Sequence, residues 1–128
     1  MTHNAYDDWI SSLNWPRLRA YAEIIGEGCP WFKAAQFVDS TEGARLFSGD
    51  IDVPVAAAGS ALARAKAEQE GLEVLCARMN KEIADWIGDA TAVISEFSVL
   101  DLGRPEHSDV FRIRVEFDIK AAEPAKVD

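Results

Sequence analysis

The 128-residue chain is short of most of the residues from which enzyme sites and secreted scaffolds are built. Its two cysteines, Cys29 and Cys76, are too few for a disulfide framework and too far apart for any zinc spacing pattern. Two such thiols fit a reducing, cytosolic setting, and Cys76 falls on an apolar helical stripe where a small buried thiol is the expected role. Histidine is equally scarce. His107, in RPEHSD beside Glu106, Ser108 and Asp109, is the one serious candidate for a general base or metal ligand, and His3 is a weaker one. A lone histidine in a polar loop is normally just solvated, because a triad or a metal site needs partners converging from distant segments. The GEG at 26–28 lacks the third glycine of a dinucleotide fingerprint, and no GKS or GKT follows a glycine-rich loop, so no nucleotide cofactor is indicated. There is no run of about 18 uncharged apolar residues, and MTHNAYDDWI has neither a basic start nor an apolar core. Neither export nor membrane insertion is expected.

Positive charge is also in deficit. Asp and Glu number 22 against 13 Lys and Arg, a formal charge of −9 with a pI near 4.6. Such a surface repels nucleic-acid phosphates and anionic membrane, whose binding depends on Lys and Arg displacing counterions. A conventional DNA reader is disfavoured. A basic protein partner, mimicry of DNA, a channel that DNA passes without sticking, and plain solubility all remain open. What is present in quantity is an ordinary globular mixture, 48% hydrophobic and 27% charged, enough for one domain over residues 1–128 with a frayed tail at 121–128.

The patterning gives an element order. Tyr6, Trp9, Ile10 and Leu13 recur at helical spacing, with Asn4 as a cap and Asp7 and Asp8 in the first turn. RLRAYAEII at 17–25 fits two templates: Leu18, Tyr21, Ala22 and Ile25 make a helical stripe, and Leu18, Ala20, Ala22 and Ile24 a strand face. The strand is the preferred reading. WFKAAQFV at 31–38 reads as a strand and DSTEG as a hairpin return. From 44 to 55, Phe47, Ile51, Val53 and Val55 alternate against Asp50 and Asp52, with Gly49 as a bulge and Pro54 at a sheet edge. Ser60 caps a long helix whose predicted inner face carries Leu62, Ala65, Gln69, Leu72, Cys76, Met79, Ile83 and Trp86. Gly71 is a candidate kink and Gly88 the stop. TAVISEFSVL at 91–100 then returns as VFRIRVEFDI at 110–119 through a turn of about nine residues holding Gly103 and Pro105. The fold class is α+β: a mainly antiparallel sheet of four to five strands, with one long helix and a short N-terminal helix packed on it.

Asp50 and Asp52 share one side of their strand as glycosidase acids could, yet on an exposed face solvated charges are the expectation. Trp9, Trp15, Trp31 and Trp86 are many for this length; Trp9 and Trp86 fit helical core faces, and Trp15 and Trp31 sit next to turns where they either join the core, the preferred reading, or face a partner.

CPWFKAAQFV leading to EGARLFSGDIDVPVAA, an alanine-rich long helix, and a closing hairpin that ends DVFRIRVEFDIK together give an order that resembles one family. It is that of the tail terminator and tail completion (head-tail joining) proteins of long-tailed bacteriophages. The resemblance covers roughly residues 30–120 and carries no signature motif, and NWPRLRAYAEIIGEG does not fit the family pattern. It implies a small α+β protein without catalytic residues, cofactor or small-molecule substrate. Copies would form a homo-oligomeric ring on the tail tube, with tail or neck proteins as partners, and would reach the virion after assembly in the host cytoplasm. Under that reading Arg112, Arg114, Glu116 and Asp118 are interface candidates, because a face of mixed sign can pair with a neighbouring copy. The rival reading is a small acidic inhibitor or immunity protein, an anti-CRISPR-like DNA mimic that binds a basic nucleic-acid-processing enzyme. A third, an enzyme with a pocket between sheet and helices, needs convergent polar residues that the sequence does not display.

Overall fold

The computed structural model describes residues 5–57 and 59–122. The expected Asn4 cap, His3 and residues 123–128 of the tail lie outside them. Helix α1 runs Ala5–Ser12 and buries Tyr6. Pro16 then opens α2, Pro16–Gly28, whose buried residues are Tyr21, Ala22, Ile25 and Gly26. The strand preferred at 17–25 is therefore a helix. Pro at the first helical position has a preset φ and no N–H to satisfy, and the stripe at i, i+3, i+4 and i+7 is the one that becomes buried, while Ala20 of the strand template is exposed.

The strand expected at 31–38 also gives way. Cys29 is extended (φ −130°, ψ 94°) and Pro30 starts a short helix α3, Pro30–Lys33, leaving only β1, Gln36–Phe37. The turn aims Phe32 into an aromatic cluster, fully buried at ring-centroid distances of 5.8 Å from Trp9, 5.6 Å from Phe37 and 5.9 Å from Phe117. Burial of aromatic surface outweighs the period-2 pattern here.

The remaining elements are β2 (Arg45–Pro54), a 3-10 turn at Val55–Ala57, α4 (Ala61–Ile87), β3 (Thr91–Gly103) and β4 (Val110–Ala122). They complete a four-stranded sheet of order β1-β3-β4-β2, in which β1 is parallel to β3 and the other pairs are antiparallel. The sheet is thus mixed. DSTEG is not a hairpin turn, since β1 and β2 occupy opposite edges. Segment 38–44 instead straps across one end of the sheet, where Thr41 and Ser95, both buried, share a 2.6 Å hydroxyl hydrogen bond. Ser95 projects from β3 on the side opposite the core residue Ile94, so the strap covers the face away from the helices. The β3–β4 loop shrinks to residues 104–109 because both strands run longer than expected, and Ala121 and Ala122 of the expected frayed tail pair with Ala92 and Thr91.

Helix α4 begins at the Ser60 side chain, which accepts from the Ala63 N–H at 3.3 Å, and ends at Gly88 (φ 59°). Its buried residues are Leu72, Leu75, Cys76, Met79, Ile83 and Ile87. Leu62 is 82% exposed and Trp86 43%, and Ala65 and Gln69 are exposed as well, so the predicted inner face holds only from Leu72 to Ile83. A 27-residue helix is about 40 Å long, and its buried residues begin only at Leu72. Gly71 produces no break in the helix and Gly49 no shift in the β2–β4 register. A Cβ at Gly71 would lie 3.1 Å from Ile51 Cβ, and one at Gly49 would lie 2.5 Å from Leu75 Cδ1. The two glycines are notches that let α4 and β2 approach. Register shifts fall instead in β3, one between Asp101 and Gly103 and one between Ser95 and Ser98, where Glu96 has φ 52° and Phe97 turns inward against Phe117. No helix among the described residues is long and apolar enough to cross a membrane.

Candidate docking surface

Alternation along β4 sorts its side chains without a slip. Ile113, Val115, Phe117 and Ile119 are buried under the helices, and Arg112, Arg114, Glu116 and Asp118 project from the other side. The four candidate interface residues therefore share one sheet face. Register brings β2 alongside: Asp52 pairs with Arg112, Asp50 with Arg114, Ser48 with Glu116 and Leu46 with Asp118. β3 contributes Leu100 opposite Arg114 and Ser98 opposite Glu116.

Two cross-strand ion pairs organise this face. Arg114 grips Asp50 with Nε to Oδ1 at 2.8 Å and Nη2 to Oδ2 at 3.2 Å, and Arg112 Nε meets Asp52 Oδ1 at 3.0 Å. The hydrogen bond from Arg114 holds the Asp50 carboxyl below its ordinary range against a smaller opposing effect of burial, and both guanidiniums are raised by their carboxylates. The sequence left Asp50 and Asp52 as solvated charges. Both alternations were visible, but the pairing of these aspartates with these arginines depends on a strand register that one sequence does not print.

The surface is consequently graded. Its Arg end is neutralised within the chain, while Glu116 and Asp118 have no ion pair among the described residues. Leu46 is 58% exposed and Leu100 41%, with Leu102 exposed nearby. Beyond the strap at 38–44, no described element covers this side of the sheet.

Other candidates disperse. His107 stands almost fully exposed in the β3–β4 loop (φ 60°) with only its neighbour Glu106 at 3.6 Å, and it lines no described cavity. No group of three or more His, Cys, Asp or Glu among the described residues could hold a metal ion. Trp9 stacks on Phe37 at 4.1 Å, and Trp31 packs against Phe32 with its Nε1–H buried and unpartnered. Trp15, like Trp86, is substantially exposed at 42%, contrary to the core role expected of both.

One cluster was not anticipated at all. Arg17 of α2 donates to Glu68 of α4 and to Asp101 of β3, each at 2.7 Å, and Tyr21 donates to the same Glu68 oxygen at 3.0 Å. Burial and then the Glu68 charge push the Tyr21 phenol far above its ordinary range. This clamp ties both larger helices to the sheet. On the helix side, two clefts of about 400 and 480 Å³ flank Ile24 and Glu27, and their walls include Asp7, Glu23 and Glu73. No family model, curated protein or solved structure matches this chain.

Proposed function

We propose that this chain is a non-catalytic assembly protein that acts by docking other proteins on its uncovered sheet face, in the manner of a phage tail terminator at the head-tail junction. Copies would form a ring with tail or neck proteins as partners, assembled in the host cytoplasm and retained in the virion. No cofactor, small-molecule substrate, membrane or sequence-specific nucleic acid enters this reading. The observation that carries it is the one-sided fold: helices shield one face of the sheet, and the other presents exposed leucines beside a two-sided charge pattern. Exposed apolar side chains rimmed by fixed charges suit protein docking, where leucines supply burial and charges set register. Unpaired carboxylates elsewhere would keep a pore from holding DNA. Native mass measurement and electron imaging test the reading. Closed rings, alone or on purified tail tubes, are expected. Monomer alone at high concentration, with no ring on added tubes, overturns it.

A second reading is favoured by one observation. Asp7, Glu23, Glu27 and Glu73 gather around the two helix-side clefts with Lys33 as their one basic wall residue. A small acidic inhibitor would offer such a band to a basic nuclease or CRISPR effector. One-to-one binding that weakens steeply as salt rises, and is lost on Glu27→Lys, would support it.

A further inference from the structure

We propose that Cys76 and Cys29 form a peroxide-reactive thiol pair, in which Cys76 is the residue attacked through the α2–α4 cleft and Cys29 closes an intramolecular disulfide. The proposal is independent of the docking reading and uses the opposite face of the molecule.

The two cysteines are 47 positions apart and belong to different elements, yet the fold presses them together. Cys29 is the extended residue between α2 and α3, and its Sγ lies 3.7 Å from the carbonyl oxygen of Cys76 in mid α4. The neighbouring backbone is as close as it can be: a Cβ on Gly28 would lie 3.0 Å from Cys76 Cβ. Glycine at 28 thus lets the end of α2 settle on Cys76.

The pair is asymmetric in chemistry and in access. Both thiols are buried, Cys29 completely and Cys76 with 3% of its surface exposed, but of the two only Cys76 lines the cleft of about 400 Å³ between α2 and α4. The adjacent Cys29 thiol favours the Cys76 thiolate, with burial and the Glu73 carboxylate opposing, and the nearness of Cys76 together with burial holds the Cys29 proton well above the ordinary thiol range. Thiolate is the nucleophilic form, so Cys76 reacts first. Glu27 and Glu73 on the cleft walls select against anionic oxidants such as glutathione disulfide and leave a small neutral peroxide unhindered.

The steps balance. The Cys76 sulfur attacks one peroxide oxygen, the O–O bond breaks, and hydroxide leaves and takes up the thiol proton as water, giving a sulfenic acid. The Cys29 sulfur then displaces hydroxide from the Cys76 sulfur, which leaves as a second water when it takes the Cys29 proton. Two thiols are oxidised to one disulfide and one peroxide is reduced to two waters.

The test treats the folded full chain with hydrogen peroxide and, separately, with glutathione disulfide, then counts thiols after denaturation and measures mass. Hydrogen peroxide is expected to take the two free thiols to none in a monomer about 2 Da lighter, at least about tenfold faster than an equal concentration of glutathione disulfide. In Cys29→Ser, dimedone should label Cys76. In Cys76→Ser it should leave Cys29 unlabelled. Far-UV circular dichroism shows whether each variant is folded, and the wild-type thiol count stands without them. Two thiols surviving peroxide in the folded chain, disulfides only between chains, or faster reaction with glutathione disulfide would each overturn the assignment.

Discussion

Gly71 of α4 rests directly on Ile51 of β2, with 3.1 Å between Ile51 Cβ and the position a Cβ at 71 would take. Ile51 Cβ is fixed to the strand backbone and cannot rotate away. Alanine at 71 gains about 1 kcal/mol of helix propensity, while overpacking at a helix–strand contact costs about 1–3 kcal/mol. Gly71→Ala is therefore expected to lower the urea midpoint. Gly49→Ala should lower it further, since its Cβ would meet the buried Leu75 at 2.5 Å. A raised midpoint for Gly71→Ala would mean that α4 can slide along β2.

The Arg17 clamp predicts a contrast between two arginines. Arg17 is largely buried and its loss leaves Glu68 facing Tyr21 without its main cation, whereas Arg112 is exposed. Removing one member of a charged hydrogen bond that is mostly out of water costs about 1.5–3 kcal/mol. Arg17→Met should cost about that much in urea denaturation, and Arg112→Met distinctly less. Equal losses would show that burial does not govern these ion pairs.

How much of this was legible depended on the range of the signal. β4 and the β2 alternation were read correctly because a strand with one buried face writes its period into the sequence. Ser60 and Gly88 likewise act locally. RLRAYAEII at 17–25 carried both periods, and what decided it was the space beside α4, a tertiary fact. WFKAAQFV failed for a related reason: Pro30 suits a helical start, but apolar residues at six of its eight positions matched a strand with much of both faces buried. Gly49 and Gly71 were noticed as unusual and assigned to a bulge and a kink, when their cause lay in each other's neighbours across the helix–sheet interface. Of the candidate site, the shared face of Arg112, Arg114, Glu116 and Asp118 was legible. The partners Asp50 and Asp52, the Arg17 clamp and the Cys29–Cys76 contact needed register and topology.

The tyrosines make the fold sensitive to base. The Tyr6 hydroxyl donates to the Ala22 carbonyl at 3.0 Å, and burial, followed by Glu23, Glu27 and Asp7, pushes its pKa up to about 12. The neutral phenol is the form that is folded in. Stability from this shift is fully present below the unfolded value of 10.0 and is lost as pH rises through about 12. Absorbance at the phenolate band should show neither Tyr6 nor Tyr21 ionising near pH 10 until the chain unfolds. A simple titration at pH 10 with the circular dichroism intact contradicts this.

Asp50 supplies the matching effect in acid. Its carboxyl is lowered from the ordinary 3.8 by the Arg114 hydrogen bond. The associated stability is present above the unfolded value and is lost as pH falls through the lowered one. Asp50→Asn should therefore be less stable than wild type at pH 6, with the gap closing as both are taken to pH 2. A gap that stays constant across that range would place the effect outside the ion pair.

A charge swap separates the stability of the sheet face from its use in docking. Arg114→Asp sets a carboxylate beside Asp50, loses a bidentate pair spanning β4 and β2, and should lower both the thermal midpoint and assembly. Adding Asp50→Arg rebuilds the pair with its signs exchanged, so the midpoint should recover. Assembly should not, because a docking partner meets the pattern of sign on the surface and finds it reversed between the strands. Recovery of ring formation together with the midpoint would show that the ion pair serves only the sheet.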